Sequence, residues 1–473
     1  MESSLYEEMD RIFHPRSVAA VGVSEKVTNQ GMSFLLGHEK LGFKGPLYAI
    51  HPAKKIERFE TFPSIKDVPG PVDYVKICVP AKSVPSVVSD CAEKGVRCVT
   101  VFSSGFRESG TEEGRKLEKE VVSIAREGNV RVIGPNCMGL YAPESGLSIR
   151  VDMPYIPRGR IAMVSQSGGV AISASLMASE KNVGFSKVVS YGNESDLGPP
   201  EFLHYLSRDE QTDVICLYIE GTRRPDDLKA ALRDAAARKP VIVLKGGTTS
   251  TGNRAVASHT GAMTGASQVW KALAAQCGSP MAQDLDEMLD MAYLFSLSRP
   301  PKGNNICLFS VSGGFGVFAT DQIISAGFNM PELDVSTQDA LRPYVDAPGT
   351  SIKNPLDLAA QFFQPQNYPY IFPALDADPG VDAYIIICAM EYLTYLNEKA
   401  AEWSGFMARS LMDGLSAMKK PVYVVFYNTV LTNVKHELEK EFIARGFPVF
   451  PDMGRCLKAL VRSRTREKKR SCL

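Results

Sequence analysis

The feature that most limits what this chain can fold into is the form of its apolar runs. They are short, apolar throughout and rich in β-branched residues, and helix-length amphipathic segments separate them. The runs are SVAAVGV (17–23), YVKICVP (74–80), CVTVFSS (98–104), VRVIGP (130–135), RIAMVSQ (160–166), KVVSYGN (187–193), VICLYIE (214–220), PVIVLKGG (240–247), NICLFSVSGG (305–314), AYIIICAM (383–390) and PVYVVFYN (421–428). A strand apolar at every position, rather than every second one, is covered on both faces, which points to parallel sheets flanked by helices. Strands of this kind alternating with helical segments specify doubly wound α/β architecture, used more than once along 473 residues.

Punctuation divides the chain into three blocks, each expected to hold its own parallel sheet. Residues 1–145 close at GPNCMGLYAPESG, and the Pro-rich MPYIPRG leads into a second block, 155–296. SLSRPPKGNN (296–305) reads as a linker to a third block, 305–463, and the basic tail RTREKKRSCL, 464–473, is expected to be frayed. In the second and third blocks a strand runs into Ser-Gly-Gly and then a helix, at VSQSGGV (164–170) and SVSGGFGV (310–317). This is either a distant duplication or one turn solution used twice.

Composition removes several classes of function. Lys+Arg and Asp+Glu both number 53, so no polyanion-binding field is implied and nucleic acid is not an expected partner. No apolar run reaches the ~18 residues of a membrane span. The N-terminal MESSLYEEMDRIF lacks the basic and apolar regions of a signal peptide, so a cytoplasmic location is expected. The ten cysteines form no C-x-x-C pair and the six histidines have no metal-ligand spacing. Free thiols in a reducing compartment are expected, and no metal site.

The candidate site residues cluster where strands end. Gly22, Ser24 and Gly31 lie in VGVSEKVTNQG, a loop from the first strand into a helix, where backbone amides favour a phosphate. The spacing departs from G-x-G-x-x-G, which counts against a nicotinamide dinucleotide site. Pro80, Ser104 and Gly105 of SSGFRESG, and Asn136 of VIGPNCMG, end further strands, and strand C-termini are where ligands sit in open α/β sheets. Ser165, Ser167, Gly168 and Gly169 form a turn able to offer hydroxyls and amides to an oxyanion, or simply to cap a helix. Glu220 ends VICLYIE, at a site edge or as a solvated acid. The segment KGGTTSTGNRAVASHTGAMTGA (245–266) is long, polar and Gly/Ser/Thr-rich, with His259 between Ser258 and Thr260. Long polar loops are disproportionately functional, and histidine can act as a covalent nucleophile. A carboxylate such as Glu220 could fix its tautomer.

In this order, the motifs resemble the alpha subunit of ADP-forming acetyl-CoA synthetases, in the nucleoside-diphosphate-forming acyl-CoA synthetase superfamily that includes succinyl-CoA synthetase. RSVAAVGVS, GFKGPLYAIHP, SSGFRESG and RVIGPNCMG resemble its Rossmann-like CoA-binding domain. RIAMVSQSGGVA, YGNESDLG, LYIEG and the S-H-T-G-A-x-x-G loop resemble the flavodoxin-like middle domain. SVSGGFGVFATDQIISAGF and NPLDLAA resemble a second flavodoxin-like ligase domain. The resemblance runs from about residue 8 to residue 463.

It implies that His259 carries phosphate, that Glu220 hydrogen-bonds it, that the loop around Gly22 and Ser24 binds CoA, and that the 165–169 turn, with Thr260 and Gly261, faces the phosphate. It also implies a relay. ATP phosphorylates the histidine, the phosphoryl group passes to a small organic acid such as acetate, and CoA sulfur attacks the acyl phosphate. The ATP-grasp domains of the family have no counterpart here. ATP/ADP and Mg²⁺ are therefore expected on a separate ATP-grasp beta subunit, in a heterotetramer. Where the family has Asn-Pro after the second strand this chain has His51-Pro52, which leaves the nucleotide contacts open. The rival functions are a non-catalytic CoA-binding regulator, a nicotinamide-dependent dehydrogenase, and acyl-transfer or lyase chemistry like that of the citrate-cleaving relatives.

Overall fold

Every apolar run named above contains a strand, and short strands extend the three sheets. A computed structural model describes residues 2–26, 28–156, 159–252, 254, 267–345, 347–388, 398–427 and 432–470. The chain divides into two units, Met1–Met288, which holds two sheets, and Leu289–Leu473, which holds one.

The first sheet contains β1 (Val18–Val21), β2 (Leu47–Ile50), β3 (Glu60–Phe62), β4 (Tyr74–Ile77), β5 (Cys98–Val101) and β6 (Arg131–Ile133). Its order is β3-β2-β1-β4-β5-β6 and every pair is parallel. The order reverses direction between β1 and β4. Val75, Val99 and Val132, side by side on neighbouring strands, are fully buried. Each such side chain contributes roughly 1.5–3 kcal/mol by leaving water. Thr111 starts the covering helix Glu112–Glu127 by accepting the Gly114 amide at 3.0 Å, and Glu112 and Glu113 complement its N-terminal dipole.

The second sheet contains β7 (Gly139–Tyr141), β8 (Ile161–Ser165), β9 (Phe185–Ser190), β10 (Val214–Ile219), β11 (Val241–Lys245) and β12 (Met281–Ala282), in the order β12-β11-β10-β8-β9-β7. All pairs are parallel except β7 with β9. Residues 139–141, expected within the first block, thus form the antiparallel edge of the second sheet. The direction reverses between β8 and β10.

The second unit is built on β13 (Ile306–Ser310), β14 (Leu356–Asp357), β15 (Ala383–Cys388), β16 (Val422–Phe426) and β17 (Val449–Phe450), all parallel, in the order β14-β13-β15-β16-β17. Leaving aside β7, this is the strand order of the second sheet. The turn after the first strand is also shared. The Ser165 hydroxyl donates to the Ser167 carbonyl at 2.7 Å, and the Ser310 hydroxyl donates to the Ser312 carbonyl at 2.8 Å.

The basic tail differs from its expected frayed state. The last helix runs Met453–Arg470. The Arg464 guanidinium lies 3.6 Å from the centre of the Phe328 ring and Arg466 is buried, so long cationic side chains spend their apolar stems on packing. Among the described residues, no helix is long and apolar enough to cross a membrane, and no group of three His, Cys, Asp or Glu is placed to hold a metal ion. The described cysteines are free, and all but Cys78 are buried.

Candidate active site

In an open α/β sheet the crevice for a ligand opens beyond the strand C-termini, where strand order reverses. The first sheet has this point between β1 and β4, and Gly22 and Pro80 flank it. Gly22 has φ +88, and a Cβ there would lie 2.5 Å from the Cys78 carbonyl oxygen, so only glycine lets β1 turn this close to β4. The loop is held by Asn29. Its side-chain oxygen accepts the amides of Ser24 (3.1 Å) and Met32 (2.8 Å), and its Nδ2 donates to the Gly22 carbonyl at 3.0 Å. Asn29 thereby caps the helix Gln30–Lys40, and Gly31 packs against the Gly22 carbonyl and Val23. The residue expected to differ, His51, does locally what an asparagine would. Its Nδ1 accepts the amides of Ala53 (3.1 Å) and Lys54 (2.9 Å).

Pro80, Ser104 and Gly105 are exposed beyond β4 and β5, and Asn136 is half-buried beyond β6. Asn136 adopts φ +58 and its amide donates to the Ser103 carbonyl at 3.0 Å. The expected CoA-site residues therefore end adjacent strands at one edge of the first sheet.

The second sheet reverses between β8 and β10, and two candidates of this block, the 165–169 turn and Glu220, lie there. Ser167 caps the helix Gly168–Glu180 by accepting the Val170 amide at 3.4 Å, and Gly169 is exposed at its positive end. Ser165 does not face a ligand, because it is fully buried and its hydroxyl is spent on the Ser167 carbonyl. A Cβ on Gly168 would lie 2.6 Å from Met138 Cγ, so the loop after β6, which also holds Asn136, abuts this turn.

Glu220 follows β10. It is only 6% exposed, which rules out a solvated end-of-strand acid. Its Oε1 accepts from the Tyr218 hydroxyl at 3.0 Å. Its backbone amide and that of Gly221 both donate to the Gln166 side-chain oxygen, at 2.7 and 3.1 Å. Beside it on β11, Lys245 is buried, which pulls its pKa down, while the Glu220 charge opposes that shift. Gly246 leaves space for this cluster, since a Cβ would meet the Tyr218 hydroxyl at 2.6 Å and Glu220 Cγ at 3.2 Å. His259, Thr260 and Gly261 lie outside the described residues.

This arrangement pairs a helix N-terminus with a buried carboxylate at the switch point of the second sheet, with the loop after β6 packed against it. Two family descriptions match the same stretches: a CoA binding domain over residues 16–143 and a succinyl-CoA ligase like flavodoxin domain over residues 158–295. The alpha subunit of acetate–CoA ligase (ADP-forming) II from Pyrococcus furiosus is 32% identical over 444 residues, 93% of this chain and 94% of that one. The chain belongs to the family of ADP-forming acetate–CoA ligases. A further member, acetate–CoA ligase (ADP-forming) I from Archaeoglobus fulgidus, is 34% identical over 380 residues, 80% of this chain but 54% of the relative. The solved structure of dinucleotide-forming acetyl-coenzyme A synthetase 1 from Candidatus Korarchaeum cryptofilum, in complex with phosphate and ADP, aligns with a TM-score of 0.85 at 28% identity. That alignment covers 98% of this chain and 97% of the other.

For this acid–thiol ligase family member, several residues of the site region carried no signal in the sequence. Gln166 and Tyr218 are interior members of strand motifs whose neighbours drew attention. Asn29 was legible in principle, as an Asn immediately before a helix. Glu108 and Asn193 lie in motifs that were recognised, SSGFRESG and YGNESDLG, but their contacts are between elements far apart in sequence.

Proposed function

We propose that this chain is the CoA-binding, phosphohistidine-carrying alpha subunit of an ADP-forming acyl-CoA synthetase. The observation that carries the reading is the β8/β10 switch point. There Gln166 fixes the amide after β10, Glu220 is buried beside the Ser167-capped helix, and Met138 sets the CoA-side turns against Gly168. A glycine- and serine-lined helix N-terminus favours a dianionic phosphate, and a buried carboxylate favours one imidazole tautomer. The residues expected to hold CoA end adjacent strands, as a ligand spanning one sheet edge requires.

The reaction is acid, CoA and ATP giving acyl-CoA, ADP and phosphate. An imidazole nitrogen of His259 attacks the γ-phosphorus and ADP departs. A carboxylate oxygen of the acid then attacks that phosphorus, the imidazole leaves, and an acyl phosphate results. The CoA sulfur attacks the acyl carbon, the carbon–oxygen bond to phosphate breaks, and the departing phosphate takes up the thiol proton. Glu220 holds the imidazole N–H, the amides of Ser167, Gly168 and Gly169 with Thr260 and Gly261 hold the phosphoryl oxygens, and Ser165 shapes the turn. The acid is acetate or another small, including substituted or sulfonated, carboxylate.

ATP and Mg²⁺ belong to an ATP-grasp beta subunit, in a cytoplasmic heterotetramer. The match to 94% of an alpha subunit and to 54% of the Archaeoglobus relative supports a two-subunit organisation. The test is labelling with γ-labelled ATP in the presence of the partner. An acid-labile, base-stable label is expected on this chain and absent after His259→Ala. A label that survives His259→Ala overturns the assignment.

A further inference from the structure

The turn after β5 is not oriented by its own sheet alone. Glu108 Oε1 accepts the amides of Gly105 (2.6 Å) and Phe106 (3.1 Å), and Glu108 Oε2 accepts from Asn193 Nδ2 at 2.5 Å. Asn193 lies beyond β9, in the second sheet. The same nitrogen donates to Glu118 Oε2 at 2.9 Å, and the Arg223 guanidinium donates to Glu118 Oε1 at 2.8 Å. Arg223 follows Glu220 by three residues, and its backbone amide donates to Glu194, the neighbour of Asn193, at 3.1 Å. The Asn193 amide in turn donates to the Pro135 carbonyl, in the turn that holds Asn136. Asn193 is 6% exposed and Glu118 4%.

A carboxamide is suited to this position. It carries no charge to desolvate, and both of its N–H groups are spent on carboxylates. An apolar joint would hold the two sheets together without the penalty of burying acids. A satisfied polar joint adds direction, because Asn193 ties the carboxylate that holds the 105–106 amides to Glu118, which Arg223 also holds.

We propose that Glu108 and Asn193 are positioning residues that couple CoA occupancy at the 103–106 turn to the Glu220 side of the site. The inference rests on the acyl-CoA synthetase reading and deepens it. Coupling of this kind is reciprocal at equilibrium, so bound CoA shifts the equilibrium extent of phosphorylation by the same factor by which phosphorylation shifts CoA affinity.

The experiment uses the chain with its ATP-grasp partner, γ-labelled ATP and no acid. The equilibrium proportion of labelled to unlabelled chain, at a fixed ATP/ADP ratio, is measured without CoA and with CoA saturating for each variant, as fixed by calorimetry. In the unaltered protein the ratio of the two values should depart from one by about fivefold or more, the low end of ordinary coupling. In Asn193→Ala and in Glu108→Gln the ratio should fall close to one, and the double variant should fall no further, since the two residues act as a unit. Glu108→Gln is isosteric and keeps the acceptor for the turn, so it carries the test if Asn193→Ala does not fold. An unchanged ratio in the variants overturns the proposal, as does an unaltered protein whose labelling ignores CoA. An unaltered protein that takes no label at all sinks the synthetase reading itself, and the coupling proposal with it.

Discussion

The side-chain oxygen of Gln166 accepts the backbone amide of Glu220 at 2.7 Å, joining the turn after β8 to the end of β10. It also accepts the Gly221 amide and, at 3.4 Å, the Tyr191 hydroxyl. Gln166→Ala would leave two buried amides without this acceptor, at a cost of about 2–4 kcal/mol. Urea unfolding should show that loss, and labelling from γ-labelled ATP should fall by about tenfold or more because Glu220 is no longer held against the helix N-terminus.

The Tyr218 hydroxyl donates to Glu220 Oε1 at 3.0 Å. Tyr218→Phe keeps the ring and removes this hydrogen bond, so labelling should fall by about ten- to hundredfold, the worth of one hydrogen bond to a charged group. Gly246→Ala should be more damaging, since its methyl would displace both the Tyr218 hydroxyl and Glu220. Single-turnover labelling of the two variants, side by side, checks the order.

Gly22→Ala tests the CoA-side turn. The added Cβ meets the backbone of β4, which cannot move aside cheaply, in a conformation that L-residues rarely adopt. A destabilisation of about 3 kcal/mol or more is expected, with CoA binding by calorimetry lost or weakened even where the chain still folds.

Lys76 supplies a pH prediction. Its ammonium is fully buried on β4, donates to the Ser148 carbonyl at 2.8 Å and lies 4.0 Å from the centre of the Phe34 ring. Burial lowers its pKa from 10.5 to about 7. Between those values the unfolded chain keeps the proton that the folded chain has released, so stability rises with pH across that window. Below pH 7 both states carry the proton and the full penalty is present. The rise is at most roughly 5 kcal/mol. Lys76→Met should flatten it, measured as urea midpoints at pH 7 and about pH 10.

His38 shares this interior with Lys76, and its Nδ1 accepts the Ser148 amide at 2.9 Å. Burial, and then the Lys76 charge, hold His38 well below its ordinary pKa. Neither residue stood out in the sequence, where one is a lysine in an otherwise apolar run and the other a histidine in a helix.

The sheets themselves were legible because most central strands are almost wholly apolar, and only a strand covered on both faces demands that pattern. β2, β3, β7, β12, β14 and β17 were not among the apolar runs, because each is a strand of two to four residues with no longer apolar run around it to read. β7 was hidden further by the Asn136 and Gly139 turns beside it, which read as loop.

The chain's own residue order determined the family, the parallel sheets and the placing of Gly22, Ser167 and Glu220 at strand ends, since these depend on local composition and on the few residues just past each strand. Tertiary structure alone decided that Gln166 holds Glu220, that Met138 of the loop after β6 packs against Gly168, and that Asn193 joins Glu108 to Glu118. Hydrogen bonds between residues dozens of positions apart leave no trace in local pattern, because they depend on how one sheet is laid against the next.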